Sequence, residues 1–220
     1  MTTLTGTPVA IVLAAGKSDR LGTDKLFAPI GGQAVVERVI QAFLRAQKVN
    51  DVAVVIPPGR TADFSWLRSV RVHLVENPTP EKGMISSLRA ALSSTWGQGS
   101  DFLVCPGDVP FIPTEVVDKV IQTFMARPCK VVVPTYQGLG GHPGMYAAEL
   151  KSDFFLHGDV NGAREILMRH QKDVVRISVH DPDICFDIDT AEDLQAAEDA
   201  GARWARVERD VEEKKRARLR

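Results

Sequence analysis

Leu13-Ala14-Ala15-Gly16-Lys17-Ser18-Asp19-Arg20-Leu21-Gly22 leaves an apolar run, and Lys25 follows shortly after it. Small residues let backbone N–H groups come close to a ligand, and Arg20 with Lys25 can balance a polyphosphate. The segment is therefore expected to cradle phosphate, unless it is an ordinary strand-to-helix turn. It is not a P-loop, because the glycine required five residues before Gly16 is Ile11, and Gly16 and Gly22 are too far apart for GxGxxG. In Cys105-Pro106-Gly107-Asp108-Val109-Pro110 a carboxylate stands between prolines, as in a stiff turn. A hard oxygen ligand there suits Mg2+, which keeps waters and binds through one or two protein oxygens plus substrate phosphate. Asp187 and Asp189 are two residues apart, so an extended backbone puts them on one face just ahead of a helix start, where they can meet a metal or merely cap the helix. Ser86 and Ser87 open another helix, with hydroxyls that can bond a base edge or phosphate, or cap that helix.

These residues need a scaffold that brings them to one edge. Val9–Leu13, Val52–Ile56, Val70–Val75, Phe102–Cys105 and Val131–Val133 are short apolar runs rich in β-branched residues, as expected of strands buried on both faces. Between them Val35, Val36, Val39, Ile40, Phe43 and Leu44 recur at helical spacing, as do Met84, Leu88, Ala91 and Leu92, and Val116, Val117, Val120, Ile121 and Phe124. Alternating strand and helix predicts an α/β fold, a single-domain Rossmann-like, doubly wound, mostly parallel sheet. Its ligands should bind at the carboxyl ends of the strands. After Pro134 the sequence predicts a Gly-rich loop over 136–146, helices over 147–156 and 163–170, a strand over 174–179 and a short apolar edge over 184–186. Thr190 and Asp193 form the pattern of a capping box. We place the domain at 1–207, with a nucleotide side at about 8–135, a small substrate-side insertion at about 136–186, and a charged tail at 208–220.

Of 220 residues, 27 are Lys or Arg and 28 are Asp or Glu, so a net charge of -1 provides no global field for nucleic acid or an anionic membrane. Cys105, Cys129 and Cys185 have no CxxC spacing and suggest neither a disulfide framework nor a thiolate zinc site. No apolar run reaches the length of a membrane span and no leader pattern is visible, so a cytoplasmic protein is expected.

LAAGKSDRLGTDK resembles the LAAGxSxRxGxxK signature of nucleotidyltransferases built on a Rossmann-like sheet. Five further matches follow in chain order, and together they resemble the molybdenum cofactor cytidylyltransferase branch of the MobA-like NTP transferases. Asn77-Pro78 with Lys82 to Leu88 resembles N-x-GMSxSL, with Ile85 at a usual serine, and Pro106-Gly107-Asp108-Val109-Pro110 resembles the GDxP element, with Val109 at a usual glutamine. Gly138 to Pro143 resembles G-x-x-GHP, Gly158 to Arg164 resembles GDxGAR with one extra residue, and Asp187 to Asp193 resembles D-x-D-T-P-E-D with Ala191 in place of proline.

The resemblance implies a nucleotide site of Leu13, Ala14, Ala15, Gly16, Arg20, Lys25, Asn77, Ser86, Ser87, Pro106, Gly107 and Asp108. It also implies an acceptor site of Gly141, His142, Pro143, Asp159 and Arg164, with Mg2+ held by Asp108 and Asp189 and supported by Asp187. Arg20, Lys25 and Asp108 would be the catalytic groups. The reaction implied is in-line transfer of CMP from CTP to the terminal phosphate of molybdopterin or the molybdenum cofactor, with pyrophosphate released; LAAG rather than LAGG favours CTP. The partners implied are a nucleoside triphosphate, a phosphorylated small-molecule acceptor, and a molybdoenzyme or maturation partner. The alternatives are GTP-dependent guanylyl transfer, a sugar or alditol phosphate acceptor, and a non-catalytic cofactor-binding maturation factor.

Overall fold

Five apolar residues in a row, with no polar alternation, are satisfied by a strand covered on both faces. Val9–Leu13 forms such a strand, β1, buried along its whole length. The computed structural model of the chain describes residues 7–16, 24–97, 99–157 and 162–200. A short hairpin, β2 (Pro29–Ile30) and β3 (Gln33–Ala34), leads into α1 (Val35–Arg45), followed by β4 (Asp51–Ile56), β5 (Val72–Glu76) and α2 (Met84–Ser93). Then come β6 (Phe102–Pro106), α3 (Thr114–Ala126), β7 (Val131–Tyr136), β8 (Leu139–Gly140), β9 (Gly144–Tyr146), α4 (Lys151–Leu156), α5 (Ala163–Arg169) and β10 (Val174–Ser178). A further helix occupies 191–200.

The main sheet runs β10-β7-β9-β6-β1-β4-β5, with β8 hydrogen-bonded to β7. The pairs β1–β4, β1–β6, β4–β5 and β7–β10 are parallel, while β9 lies antiparallel between β6 and β7. Side chains alternate across each strand, so two cores form. On one face Val12, Val54 and Cys105 pack with Val39 and Phe43 of α1 and Val120 and Phe124 of α3. On the other, Ile11, Val55 and Val104 pack with Leu88 of α2, Phe154 of α4 and Ile166 of α5. The fold is therefore the expected doubly wound, mostly parallel α/β sheet.

Three expectations are corrected. The strand expected from Val70 begins at Val72, and Val70 is 93% exposed. The helix expected over 147–156 is a 3-10 turn, Ala148–Leu150, followed by α4. The apolar edge expected over 184–186 falls instead on a 3-10 turn, Pro182–Cys185, in which Pro182 is compatible with the first helical position and the Asp181 carboxylate accepts from the Asp183 N–H at 2.9 Å. The Gly-rich stretch also hides β9, whose Tyr146 ring packs 5.6 Å from Phe102 and 5.4 Å from Phe154. The capping box is present: Asp193 N–H donates to Thr190 Oγ1 at 3.1 Å, and Thr190 N–H donates to Asp193 Oδ2 at 2.8 Å. Arg20, Asp159 and the 208–220 tail lie outside the described residues. Among those described, no helix is long and apolar enough to cross a membrane.

Candidate active site

Parallel strands β1, β4 and β6 end at a common edge, and the chain after β6 turns there tightly against β1. Gly107 N–H donates to the Leu13 carbonyl at 2.9 Å. A Cβ at Gly107 would stand 3.1 Å from that oxygen, so a residue that carries one would crowd the turn. Asp108 follows at once. Its backbone carbonyl accepts from Ile188 N–H at 3.0 Å, which draws the 187–189 segment alongside. The Ile188 side chain is fully buried with Ile30, Val35, Phe111 and Ala197, and strand-like alternation leaves Asp187 and Asp189 turned away from that cluster.

Lys25 opens a 3-10 turn whose Leu26 is buried, and its ammonium reaches across the edge. Nζ lies 2.8 Å from Asp108 Oδ2 and 3.2 Å from Asp189 Oδ1, and it donates to the Ile188 carbonyl at 2.7 Å. Burial acts to lower the Lys25 pKa, but hydrogen bonds and charge from Asp108 and Asp189 outweigh it, and the net direction is upward. Lys25 is therefore a firm cation. Desolvation, then the charges of Asp189 and Asp108, push the Asp187 carboxyl up, with Lys25 and a backbone hydrogen bond opposing. The buried Cys105 thiol is also pushed well up, by burial first and then by Asp108, which keeps it protonated.

Asp108 Oδ1 is buried without a hydrogen-bond partner. Such an oxygen is costly unless something else meets it. Together with the facing Asp189 it makes a hard, anionic donor set of the kind Mg2+ selects, so the residues fit the metal. Among the described residues no group of three or more His, Cys, Asp or Glu side chains is already gathered as a cation cage.

The remaining expected residues divide by what they touch. Ala14 and Ala15 are buried at the end of β1, Gly16 is exposed, and Pro106 ends β6. Asn77, Ser86 and Ser87 are buried and bonded to one another: Asn77 Nδ2 donates to Ser86 Oγ at 2.8 Å and to Ser87 Oγ at 3.0 Å. Asn77 Oδ1 accepts from Thr79 N–H at 3.0 Å. The trio thus ties the loop after β5 to the first turn of α2.

Gly141 N–H donates to the Pro134 carbonyl at 2.8 Å, and His142 N–H donates to the Ile184 carbonyl at 2.9 Å. A Cβ at Gly141 would lie 2.5 Å from Ile184 Cδ1 and 2.7 Å from its carbonyl oxygen. His142 precedes Pro143 through a cis peptide. Burial lowers the imidazole pKa and the Asp108 charge opposes it, so the ring is held mainly neutral near that carboxylate. Arg164 is exposed in the first turn of α5.

Two supporting residues were not singled out from sequence. Arg60 donates to Asp24 Oδ2 at 2.7 Å and lies over the Phe27 ring, bracing the turn that carries Lys25. Ile184 is the wall that makes Gly141 necessary. Arg60 leaves no local signal, and the apolar run over 184–186 shows nothing of this role for Ile184, since each acts across the fold on a distant segment.

A MobA-like NTP transferase domain model matches residues 10–174. The chain is 22% identical over 189 residues to the molybdenum cofactor cytidylyltransferase of Escherichia coli, covering 86% of this chain and 94% of that protein. It is 29% identical over 130 residues to a probable molybdenum cofactor guanylyltransferase of Thermococcus sibiricus, where the match covers 59% of this chain and 62% of the relative. The crystal structure of Rv0371c from Mycobacterium tuberculosis superposes with a TM-score of 0.75 at 22% identity, covering 89% of this chain and 99% of that one. Rv0371c has also been solved in complex with manganese, with a TM-score of 0.72 at 18% identity over 88% of this chain and 98% of that one. With three quarters of the chain matched, the protein belongs to the MobA-like NTP transferase family of nucleotidyltransferases.

Proposed function

We propose that the protein transfers a nucleotidyl group, CMP from CTP, to the terminal phosphate of molybdopterin or its molybdenum-loaded form, and releases pyrophosphate. The observation that carries this reading is the meeting of Lys25, Asp108 and Asp189 at the carboxyl edge of the sheet, with Asp108 Oδ1 left unpartnered. Asp108 and Asp189 would hold Mg2+, with Asp187 in support; when bound, the ion neutralises charge on the triphosphate. Manganese in the Rv0371c complex accords with a divalent site on this fold.

Lys25 and Arg20 bind the phosphates in this reading, and the backbone of Leu13 to Gly16 cradles them. The Asn77, Ser86 and Ser87 cluster shapes the base side by fixing the loop into α2. A phosphate oxygen of the acceptor attacks the α-phosphorus, and the bond from that phosphorus to the β-phosphate oxygen breaks in line. The attacking oxygen is already anionic, so positioning and charge neutralisation matter more than a general base. Gly141, His142 and Pro143 then face the acceptor, with Asp159 and Arg164 from the following segment; a mainly neutral His142 can donate one hydrogen bond to a phosphate or pterin oxygen without adding charge.

The test is side-by-side turnover of CTP and GTP with molybdopterin and Mg2+, read as pyrophosphate release and nucleotidylated product. Product from CTP supports the reading. Product from GTP alone assigns guanylyl transfer, and tight ligand binding with no pyrophosphate assigns a maturation factor.

A further inference from the structure

We propose that Lys25 is the resident counter-ion of the metal site. Its ammonium holds Asp108 and Asp189 together, and a triphosphate must draw it away before a divalent cation can take both carboxylates. This rests on the reading above that those two aspartates bind the metal. An ammonium has three donors, and among the described residues Asp108 Oδ2, Asp189 Oδ1 and the Ile188 carbonyl oxygen lie within reach of them at 2.8, 3.2 and 2.7 Å. The side chain is only 15% exposed, so this is a settled position rather than a surface contact.

A divalent ion bound by the same carboxylates at about 2.1 Å needs the space and the charge balance that Nζ now provides. Two cations on one pair of carboxylates repel, so the sites exclude each other. A polyphosphate resolves the conflict, because its oxygens offer the ammonium acceptors as anionic as those it leaves. Nucleotide and metal affinities are then linked, each raising the other. The spare Asp108 Oδ1, which Lys25 does not touch through any hydrogen bond, is the capacity left for the incoming ion.

A lysine that only contacts phosphate makes a different prediction: its loss would weaken nucleotide binding and leave nucleotide-free metal binding unchanged. The full chain is therefore titrated with Mn2+ and free Mn2+ is read by its paramagnetic resonance, with and without CTP or GTP. Expected are weak nucleotide-free binding in the wild type and binding on the order of tenfold tighter in Lys25→Met. The gain persists at high ionic strength, because it reflects contact rather than distant charge, and it disappears in Lys25→Met with Asp108→Asn. With nucleotide present the order reverses, and wild type binds Mn2+ more tightly than Lys25→Met.

Nucleotide-free binding in Lys25→Met no tighter than in wild type overturns the proposal, as does a gain that survives Asp108→Asn. Circular dichroism checks the fold, and Lys25→Gln, a polar replacement, must reproduce the effect if Lys25→Met is misfolded. If Asp108→Asn alone leaves nucleotide-bound Mn2+ affinity unchanged, the metal reading itself fails, which is a separate result from failure of the counter-ion role.

Discussion

At the scale of single residues, three charged side chains, Lys25, Asp108 and Asp189, set the character of the described part of the site. Asp108 offers one oxygen to Lys25 and keeps the other buried and unpartnered. Asp108→Asn keeps the shape but removes the charge, so turnover should fall by about a hundredfold or more while the far-ultraviolet spectrum stays native. Near-normal turnover would take Asp108 out of the reaction. His142 gives a different signature. Its pKa is lowered from the ordinary 6.5, chiefly by burial, so the unfolded chain takes up a proton more readily than the folded one. The stability tied to this residue is full above pH 6.5 and drains as pH falls below that value. Melting temperatures measured from about pH 8 to pH 5 should fall more steeply for the wild type than for His142→Gln. Parallel curves would show that His142 contributes nothing to this slope.

At the scale of elements, the loops are fitted as closely as the helices. The Asn77 side chain makes two buried hydrogen bonds that join the end of β5 to α2 and a third, partly buried, to Thr79, and Asn77→Ala should cost about 1–3 kcal/mol in urea denaturation. Gly141→Ala drives a methyl group into Ile184 and should cost a similar amount, about 1–3 kcal/mol, while also displacing the His142 loop. A Gly141→Ala protein as stable as wild type would mean that the loop yields freely. The elements that sequence located well were those with a strong period or a solid apolar run: β1, β4, β6, α1 and α3 lie where hydrophobic spacing places them. β9 escaped because Gly144-Met145-Tyr146 is too short to display alternation and stands among glycines. The strand wedged between β6 and β7 packs its Tyr146 on Phe102, which is remote in sequence, and on Phe154 of the next helix. In the site, Lys25, Asp108 and Asp189 each stood out within a local motif. That one ammonium spans two of those motifs was not legible, because 164 positions separate Lys25 from Asp189 and only the folded sheet edge closes that gap.

At the scale of the molecule, two cores sandwich the sheet, and a third small cluster of Ile30, Val35, Phe111, Ile188 and Ala197 lies beneath the site. Ligands that bind the native edge should stabilise the whole molecule. CTP with Mg2+ at about 100 times its dissociation constant contributes about 2.7 kcal/mol, which raises the melting temperature by about 5–10 °C for a chain of this size. Either component alone should give a smaller shift, since each relies on the other to settle Lys25. Equal and additive shifts in a thermal melt would contradict that coupling. The bond from Ile188 N–H to the Asp108 carbonyl also orders events in time. A ribosome lays down the Lys25 turn and the Asp108 turn well before it adds the segment that joins them. A product cut short just ahead of Ile188 retains all ten described strands but has neither Asp189 nor the carbonyl that receives Lys25. If Asp189 holds the metal as proposed, a polypeptide that stops ahead of Ile188 should release no pyrophosphate even where most of its architecture has formed.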